Sequence, residues 1–343
     1  MDLGLLKELC FASGVSGAES SARELIAEKM QKFEPFTDGT GNVICIKKSK
    51  DKNAPTLLID AHIDSVGLCV SKVCERGFLK VCAVGGVDQR ILPASMVVVH
   101  GKQDVLGVIS TKPPHLMSKK DEEETVTTEN LFIDTGDNAE GISVGDRISY
   151  MPKFTELLNG VSATYLDNRL GCLAIIELFY ALKDVDLPFN LKAVFSSGEE
   201  MGMKGAKFSQ EPCDMGIVLD VTFAKTPDET SDEAMNVNGG TAIGVGPNLN
   251  KKISDGMKNF ACKNNIRHQI EVLEGCSGTN AWVYQVSGFG MPVGMISFPI
   301  KYMHTPVETV DFNDYESSFE LLKGYILSLT ADKIREISEA IVC

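Results

Sequence analysis

The chain has 343 residues, of which 43% are hydrophobic and 23% are charged, a composition typical of a folded protein with a sizeable core. Its length favours two domains, because a single hydrophobic core usually stops growing before this size. The net charge of −14 argues against nucleic acid as a partner, since the chain would repel a phosphate backbone. We find no leader-like segment and no apolar stretch long enough to span a membrane, so we expect a cytoplasmic protein without a membrane partner.

The cysteines point to the same environment. All ten are scattered along the chain, and no two form a Cys-x-x-Cys pair. In a chain with its own large core they are interpreted as reduced, mostly buried thiols. An acidic run at residues 121–124 is interpreted as a solvated loop.

The first part of the chain predicts two helices and two strands. Apolar residues recur at helical spacing over residues 3–9 and 22–30, on either side of a Ser-Gly-Val-Ser-Gly loop at 13–17. Extended segments are predicted at 43–46 and 56–60. These segments begin an α/β pattern.

The pattern changes between about residue 67 and residue 160. Short β-rich runs, such as 78–84, 96–100 and 104–110, are separated by turns rich in glycine and charged residues. No long amphipathic helix interrupts them. The segment therefore predicts a small β-barrel-like domain.

After residue 160, strands and helices alternate, which is typical of a largely parallel sheet covered by helices. We therefore predict an α/β fold in which residues 1–66 and 161–343 form one domain around the insert at 67–160. The predicted strands are 191–195, 215–219 and 293–298, and the predicted helices are 168–182, 254–264 and 279–286.

Ionisable side chains stand where predicted strands end and where one helix begins. Each has an ordinary interpretation on its own, as a buried histidine, a helix cap or a turn residue. Their shared position is more informative, because strand carboxyl ends and helix amino ends converge on one crevice of an open α/β sheet. We therefore predict a single site formed by His62, Asp64, Asp167, Glu199, Glu200, Asp220 and His304.

This set contains two imidazoles and three carboxylates that are suited to metal binding. The mixed nitrogen and oxygen donors suit Zn²⁺ or a similar first-row ion better than Mg²⁺ or Ca²⁺. We expect two divalent metal ions per subunit, since their charge would balance three carboxylates and one hydroxide. Zn²⁺ is favoured, with Co²⁺ and Mn²⁺ as alternatives. Asp64 is expected to hold the second ring nitrogen of His62.

An ordered set of short motifs runs through the chain. The motifs are Ser16-Gly17-Ala18-Glu19, Asp60-Ala61-His62-Ile63-Asp64, Lys112-Pro113-Pro114-His115, Leu131-Phe132-Ile133-Asp134, Leu166-Asp167-Asn168-Arg169, Glu199-Glu200-Met201-Gly202, Leu219-Asp220 and Tyr302-Met303-His304-Thr305-Pro306-Val307-Glu308. Over nearly its whole length the chain thus resembles the binuclear metallo-aminopeptidases that assemble into tetrahedral dodecamers. Members of that family are often described as glutamyl or deblocking aminopeptidases, and some are labelled endoglucanases.

The resemblance implies a role for each ligand. His62 and Asp220 would hold one metal ion, Glu200 and His304 would hold the other, and Asp167 would bridge the two. Two Lewis acids would then lower the pKa of a shared water, polarise the scissile carbonyl and receive the free α-amine of the peptide.

The same resemblance implies a reaction and an assembly. Glu199 would be the general base that takes the water's proton and delivers it to the leaving amine. The reaction would remove N-terminal residues, one at a time, from short peptides. Residues 67–160 would form dimers, and the dimers would build a hollow homo-oligomeric shell.

Three residues depart from the family pattern. Ser65, Asn280 and Lys301 stand where relatives usually carry Glu, Asp and Arg. None is a predicted metal ligand. Asn280 ends the segment 275–280, which is expected beside the substrate. The absence of a carboxylate at this position is therefore expected to affect the preference for substrate side chains and the turnover.

Other functions remain open at this point. A deacylase or carboxypeptidase could use the same metals but would need a cation for the substrate carboxylate. A glycosidase would need facing carboxylates, whereas Glu199 and Glu200 are adjacent. A shell-forming homologue with little or no catalysis is a third alternative. The glycine-rich segment 239–246 lacks a complete phosphate-binding motif and is interpreted as close backbone packing near the site.

Overall fold

The computed structural model describes residues 1–118, 126–208, 212–228, 231, 233–288 and 290–339, and the acidic run at 121–124 lies outside them. Within these residues the α-helices are α1 (Leu3–Phe11), α2 (Ser20–Lys29), α3 (Leu166–Ala181), α4 (Lys204–Phe208), α5 (Lys251–Lys263), α6 (Asn280–Tyr284), α7 (Phe312–Ser328) and α8 (Ala331–Glu339). The described helices include none with the length and apolar character needed to cross a lipid bilayer.

The β-strands form a large sheet and a separate barrel. The strands are β1 (Phe36–Thr37), β2 (Val43–Lys47), β3 (Thr56–His62), β4 (Gly67–Val73), β5 (Phe78–Val84), β6 (Met96–His100), β7 (Asp104–Ile109), β8 (Ile133–Asp134), β9 (Arg147–Tyr150), β10 (Phe154–Leu157), β11 (Gly160–Ala163), β12 (Asn190–Ser196), β13 (Met215–Phe223), β14 (Thr241–Val245), β15 (His268–Val272), β16 (Val293–Lys301) and β17 (Glu308–Asp311).

The large sheet has a parallel centre and antiparallel flanks. Its main path is β1-β2-β12-β3-β13-β16-β17-β11-β10, and β14 and β15 branch from β16. Strands β12, β3, β13 and β16 run parallel to their neighbours within this group. The outer pairings are mainly antiparallel. The predicted α/β fold class is confirmed, although the sequence did not indicate the antiparallel flanks.

Helix α3 anchors the central strands. Its leucine, isoleucine and phenylalanine side chains are buried around almost the whole circumference of the helix, and Leu170, Leu173 and Phe179 have no exposed surface. They pack against β3 and β13 in the main hydrophobic core. Each such side chain contributes about 1.5 to 3 kcal/mol on burial, so α3 is held firmly against the central strands.

The insert is a closed barrel with its own core. Its strands follow one another in the order β4-β5-β8-β7-β6-β9, and its interior contains residues such as Val70, Leu79, Val99 and Ile133. Strand β10 belongs to the edge of the large sheet, where it pairs with β11. The division into residues 1–66 with 161–343 and residues 67–160 stays a prediction.

Several elements extend beyond their predicted bounds. Strand β13 continues past Leu219 to Phe223 because parallel pairing with β16 persists there, and Asp220 faces Ser297 within that ladder. Asp220 is therefore inside a strand, whereas the sequence placed it after one. Strands β14 and β15 and helix α7 were not predicted.

Candidate metal centre

The predicted ligands lie together at the carboxyl end of the central strands. His62 is the last residue of β3 and pairs with Ser196 of β12, so Glu199 and Glu200 follow at the same edge. Asp220 lies on the neighbouring strand β13. Asp167 is in the first turn of α3, and His304 follows β16. The topology thus joins residues separated by up to 242 positions (His62 to His304).

These side chains form two groups that share one member. Ligand atoms of His62, Asp167 and Asp220 lie within 4.8 Å of one another, as do those of Asp167, Glu200 and His304. Asp167 Oδ1 lies 3.0 Å from His62 Nε2, and Asp167 Oδ2 lies 3.4 Å from His304 Nε2. One carboxylate therefore offers a different oxygen to each group, as a bridging ligand does.

Main-chain carbonyl oxygens orient both imidazole rings. Nδ1 of His62 lies 3.0 Å from the carbonyl oxygen of Asp64 and 3.5 Å from its carboxylate Oδ1. Nδ1 of His304 lies 2.9 Å from the carbonyl oxygen of Gly86, which follows barrel strand β5. A hydrogen bond donated by Nδ1 leaves Nε2 free as a ligand atom. In the case of Asp64, the carbonyl lies closer to the ring than the carboxylate that the sequence singled out.

The carboxylate of Asp64 has a second task. Its Oδ1 accepts a hydrogen bond from the backbone N–H of Glu199 at 2.8 Å, and its Oδ2 accepts one from the N–H of Glu200 at 3.1 Å. The hydroxyl of Ser16 also donates to Oδ2. Asp64 is fully buried. It therefore fixes the backbone that presents Glu199 and Glu200.

Glu308 is a supporting residue to which the sequence assigned no role. Its Oε2 accepts a hydrogen bond from the backbone N–H of Asp167 at 3.0 Å, and its Oε1 accepts one from the N–H of His304 at 2.7 Å. Its side chain is buried. The only signal for Glu308 in the sequence was its position four residues after His304, at the end of the motif at 302–308. One side chain thus ties together the backbones of a shared ligand and a histidine ligand.

The electrostatics of the two groups favour cations. Burial lowers the pKa of His62 and His304, but the hydrogen bonds and charges of the surrounding carboxylates, with Asp167 the largest contributor, together outweigh burial. They raise both pKa values, that of His304 to about 10. Burial raises the pKa of Asp167, yet its bonds to the two imidazoles lower it overall. In the metal-free chain, protons on the two imidazoles therefore supply the positive charge that bound metal ions would supply.

The other carboxylates show the complementary effect. Burial, followed by the charges of nearby carboxylates, raises the pKa of Glu199 to about 9. Burial and the charge of Asp167 raise the pKa of Glu200 to about 8, and burial also raises that of Asp220. So many carboxyl groups are difficult to ionise together without divalent cations. The donor set, its spacing and its charge fit the predicted metal ions.

A cavity of about 410 Å³ opens beside this cluster. Glu199 lines it together with the ligands, so a bound molecule could reach its carboxylate. The cavity wall also contains Glu233 and Glu271, and no lysine or arginine of the described chain lines the cavity. Glu271 is buried and accepts a hydrogen bond from Ser297 Oγ at 2.5 Å. The remaining wall residues are mainly apolar or small, among them Phe223, Val272, Leu273, Ser277, Gly278, Thr279, Met295 and Met303.

Asn280 itself does not line this cavity, although part of the segment 275–280 that was expected beside the substrate does. It is 1% exposed, and its Nδ2 donates to Asp60 Oδ2 and to Ser196 Oγ, each at 2.8 Å. Its neighbours Ser277 and Thr279 are the residues that reach the cavity. The start of helix α6 turns the Asn280 side chain toward the sheet, so its role is to satisfy the buried Asp60.

Ser65 and Lys301, the other two residues that depart from the family pattern, differ in their burial. Ser65 is 1% exposed, and its hydroxyl has no hydrogen-bond partner among the described residues. Lys301 ends β16 and places its Nζ 5.8 Å from the ring centroid of Tyr302. Neither residue lines the cavity.

The glycine-rich segment contributes packing. Gly244 lies in β14, and a Cβ there would lie 2.7 Å from Leu249 Cδ1 and 3.0 Å from Met295 Cβ. Met295 lines the cavity. The interpretation of residues 239–246 as close backbone packing near the site agrees with these contacts.

Comparison with known proteins identifies relatives across the whole chain. The family model for the M42 glutamyl aminopeptidases matches residues 41–321. The lysyl aminopeptidase of Pyrococcus furiosus is 32% identical, covering 96% of this chain and 98% of that protein. An aminopeptidase from Desulfurococcus kamchatkensis is 30% identical, with a TM-score of 0.90 and coverage of 99% and 98%. The TET1 peptidase of Pyrococcus horikoshii, described as assembling into a tetrahedron or a large octahedral shell, is 30% identical, with a TM-score of 0.84 and coverage of 95% and 99%.

Proposed function

Because this chain belongs to the M42 glutamyl aminopeptidase family and is an aminopeptidase, we propose that it removes N-terminal residues one at a time from short peptides with the help of two divalent metal ions. The observation that carries this proposal is the position of Asp167, whose two carboxylate oxygens face two separate ligand groups. A single metal ion would not need both.

We assign the ligands by group. His62 and Asp220 would hold one ion, Glu200 and His304 would hold the other, and Asp167 would bridge them. Zn²⁺ is the favoured ion, and Co²⁺ or Mn²⁺ could use the same donors. Such ions supply Lewis-acid polarisation of the scissile carbonyl and acidify a water molecule.

Glu199 is the proposed general base. Its carboxylate lines the cavity, and its backbone is fixed by Asp64 through the 2.8 Å hydrogen bond. The carboxylate would take a proton from the attacking water and return it to the nitrogen of the leaving amine. Asp64 is a positioning residue in this scheme, because it holds the backbone of Glu199 and the ring of His62.

The cavity also favours particular N-terminal residues. With both metal ions bound, the ligand cluster would be close to neutral, whereas Glu233 and Glu271 add negative charge to the cavity wall. Apolar wall residues such as Leu273 and Met295 would contact an aliphatic stem. We therefore propose that basic and aliphatic N-terminal residues are preferred over acidic ones.

We further propose that the barrel drives self-assembly, through dimers, into a dodecameric shell. Met96, Leu106, Val108 and Val144 are apolar barrel residues that are between 41% and 66% exposed. Such a surface is characteristic of an interface. The shell described for the TET1 peptidase of Pyrococcus horikoshii supports the same assignment. A cytoplasmic location is proposed as well, and the free cysteines of the described residues support it.

The test is hydrolysis of amino-acid p-nitroanilides with free and N-acetylated amines, by the wild-type chain and a Glu199→Gln variant. We expect activity only on free amines, with loss on chelation and in the variant. Hydrolysis of the acetylated compounds would instead support a deacylase. Absence of turnover on every free amine by the metal-loaded protein would support the silent shell-forming homologue.

A further inference from the structure

The largest completely buried side chain in the described structure is a charged one, Arg169. Its Nη2 donates to the carbonyl oxygen of Ala12 at 3.1 Å. Its Nε and Nη1 have no hydrogen-bond partner anywhere in the described part of the chain. An arginine cannot escape its charge by losing a proton, so a buried guanidinium needs a counter-charge and acceptors.

No described carboxylate is in direct contact with the guanidinium to supply that counter-charge. Arg169 lies in the first turns of α3, and the buried thiols of Cys10 and Cys172 lie close enough to feel its charge. None of the described carboxylates forms an ion pair with it. Leaving such a charge uncompensated in the interior is strongly destabilising.

A second unsatisfied group belongs to a residue that shares a neighbour with Arg169. The hydroxyl of Ser65 is buried without a hydrogen-bond partner among the described residues. The backbone N–H of Ser65 donates to the carbonyl oxygen of Gly14 at 2.9 Å. A Cβ on Gly14 would collide with Nη2 of Arg169, so the guanidinium and Ser65 flank the same glycine. Three unused donors, Nε and Nη1 of Arg169 and the hydroxyl of Ser65, therefore belong to two buried residues that both contact Gly14.

We propose that Arg169 and Ser65 form an interior binding site for a small monovalent anion, either chloride or a small carboxylate such as formate. Such an anion accepts hydrogen bonds and cancels one charge. A dianion such as phosphate would replace one buried excess charge with another. A water molecule could accept the hydrogen bonds but would leave the charge uncompensated.

The test is thermal unfolding of the full chain after dialysis into gluconate, an anion too large for the interior. Chloride, formate or acetate then replaces gluconate at constant ionic strength. Binding to the folded state should raise Tm by roughly 2 to 4 °C with a saturable dependence on concentration. The anion series separates chloride from carboxylates. Because the readout is unfolding, the result does not depend on the aminopeptidase proposal.

Two variants of Ser65 separate charge from volume. Ser65→Glu supplies an internal counter-charge, so its Tm in gluconate should exceed that of the wild-type chain and should no longer respond to chloride or formate. Ser65→Gln adds a similar volume without charge, so its Tm should fall, again without an anion response. A Ser65→Glu variant that keeps the anion response, or a wild-type chain without one, would overturn the proposal.

Crystals grown in bromide give a direct check that needs no variant. An anomalous peak within hydrogen-bond distance of the Arg169 guanidinium is expected. Ordered water alone at that position would contradict the site.

Discussion

The carbonyl oxygen of Gly86 accepts a hydrogen bond from Nδ1 of His304 at 2.9 Å. A residue that follows a barrel strand thus orients a candidate metal ligand that follows a strand of the large sheet. Gly85 is close by as well, since a Cβ there would lie 3.4 Å from Glu200 Cβ. The barrel therefore helps to build the candidate metal centre, in addition to the self-assembly proposed for it.

Substituting Gly86 should damage the site selectively. A Cβ at this position would lie 2.9 Å from His304 Nδ1, which forces the ring to move. We expect Gly86→Ala to lower the affinity for one of the two metal ions and to reduce kcat/KM about 10-fold or more. Elemental analysis and kinetics would measure both effects. Gly39→Ala is the control, because a Cβ there meets nothing within 4 Å, and it should behave as wild type.

Glu308 should be needed for metal affinity, because it accepts hydrogen bonds from the backbones of Asp167 and His304. In Glu308→Gln, an amide N–H₂ group would face one of these N–H donors. We expect metal affinity to fall roughly 10- to 100-fold. Metal titration of the chelated protein would measure it. Wild-type affinity in the variant would show that the two backbone hydrogen bonds are dispensable.

The metal-free chain should lose stability as the pH rises. The pKa values of Glu199, Glu200 and His304, at about 9, 8 and 10, all lie above their ordinary values. The folded state thus binds more protons than the unfolded state between about pH 6.5 and 9, and the free energy of unfolding decreases as the pH rises through this window. The pKa of Asp167 is lowered, so Asp167 changes the free energy of unfolding only at acid pH.

Thermal unfolding of chelated protein across this pH range checks the prediction. Tm should fall steadily from pH 6.5 to pH 9, as the linkage requires. Adding Zn²⁺ should remove most of the slope, since the ions replace the protons. A flat or rising Tm in the chelated protein would show that ionisation of the carboxylate cluster does not destabilise the folded state.

Restoring a carboxylate at position 280 should destabilise this chain. Asn280 donates to Asp60, which is buried and also accepts a hydrogen bond from Tyr284. Asn280→Asp would place two carboxyl groups in contact, and burial already raises the pKa of Asp60 to about 6. We expect a loss of about 1 to 3 kcal/mol at pH 8 and a smaller loss at pH 5.5, because one group can then stay protonated. Urea unfolding would measure it, with the exposed Asn53→Asp as control.

Glu271 should influence the choice of substrate. It is a buried carboxyl group in the cavity wall. In Glu271→Gln the ratio of kcat/KM for lysyl over leucyl p-nitroanilide should fall about 5-fold or more, because a charged partner is replaced by a neutral one. An unchanged ratio would indicate that Glu271 only supports Ser297.

Much of the site could be predicted because strand ends converge at one edge of an α/β sheet. That rule placed His62, Asp220 and Glu200 together from their positions alone. It could not predict Glu308 or Gly86, because neither is at a strand end in the predicted sheet. Both act through hydrogen bonds with the backbone or ring of a ligand, which leave no pattern in the sequence. Asn280 was misplaced for a related reason: a segment beside a cavity contains residues that point away from it.

The fold was predictable to a similar depth. Alternating strands and helices indicated the parallel centre, and the turn-rich region indicated the barrel. Strand β14 was missed although it contains Thr241, Ile243 and Val245, because the glycines within and around it favoured an interpretation as packed irregular backbone. Its pairing depends on contacts with β16 that sequence pattern does not contain.

The most direct test of the central claim is the metal content of the purified chain and of an Asp167→Asn variant. Elemental analysis after saturation with Zn²⁺ should give two ions per wild-type chain. Because Asp167 serves both groups, the variant should bind both ions more weakly and lose activity on free-amine substrates. One ion per wild-type chain, or a variant that loses only one of two ions and keeps its activity, would contradict the shared-ligand account.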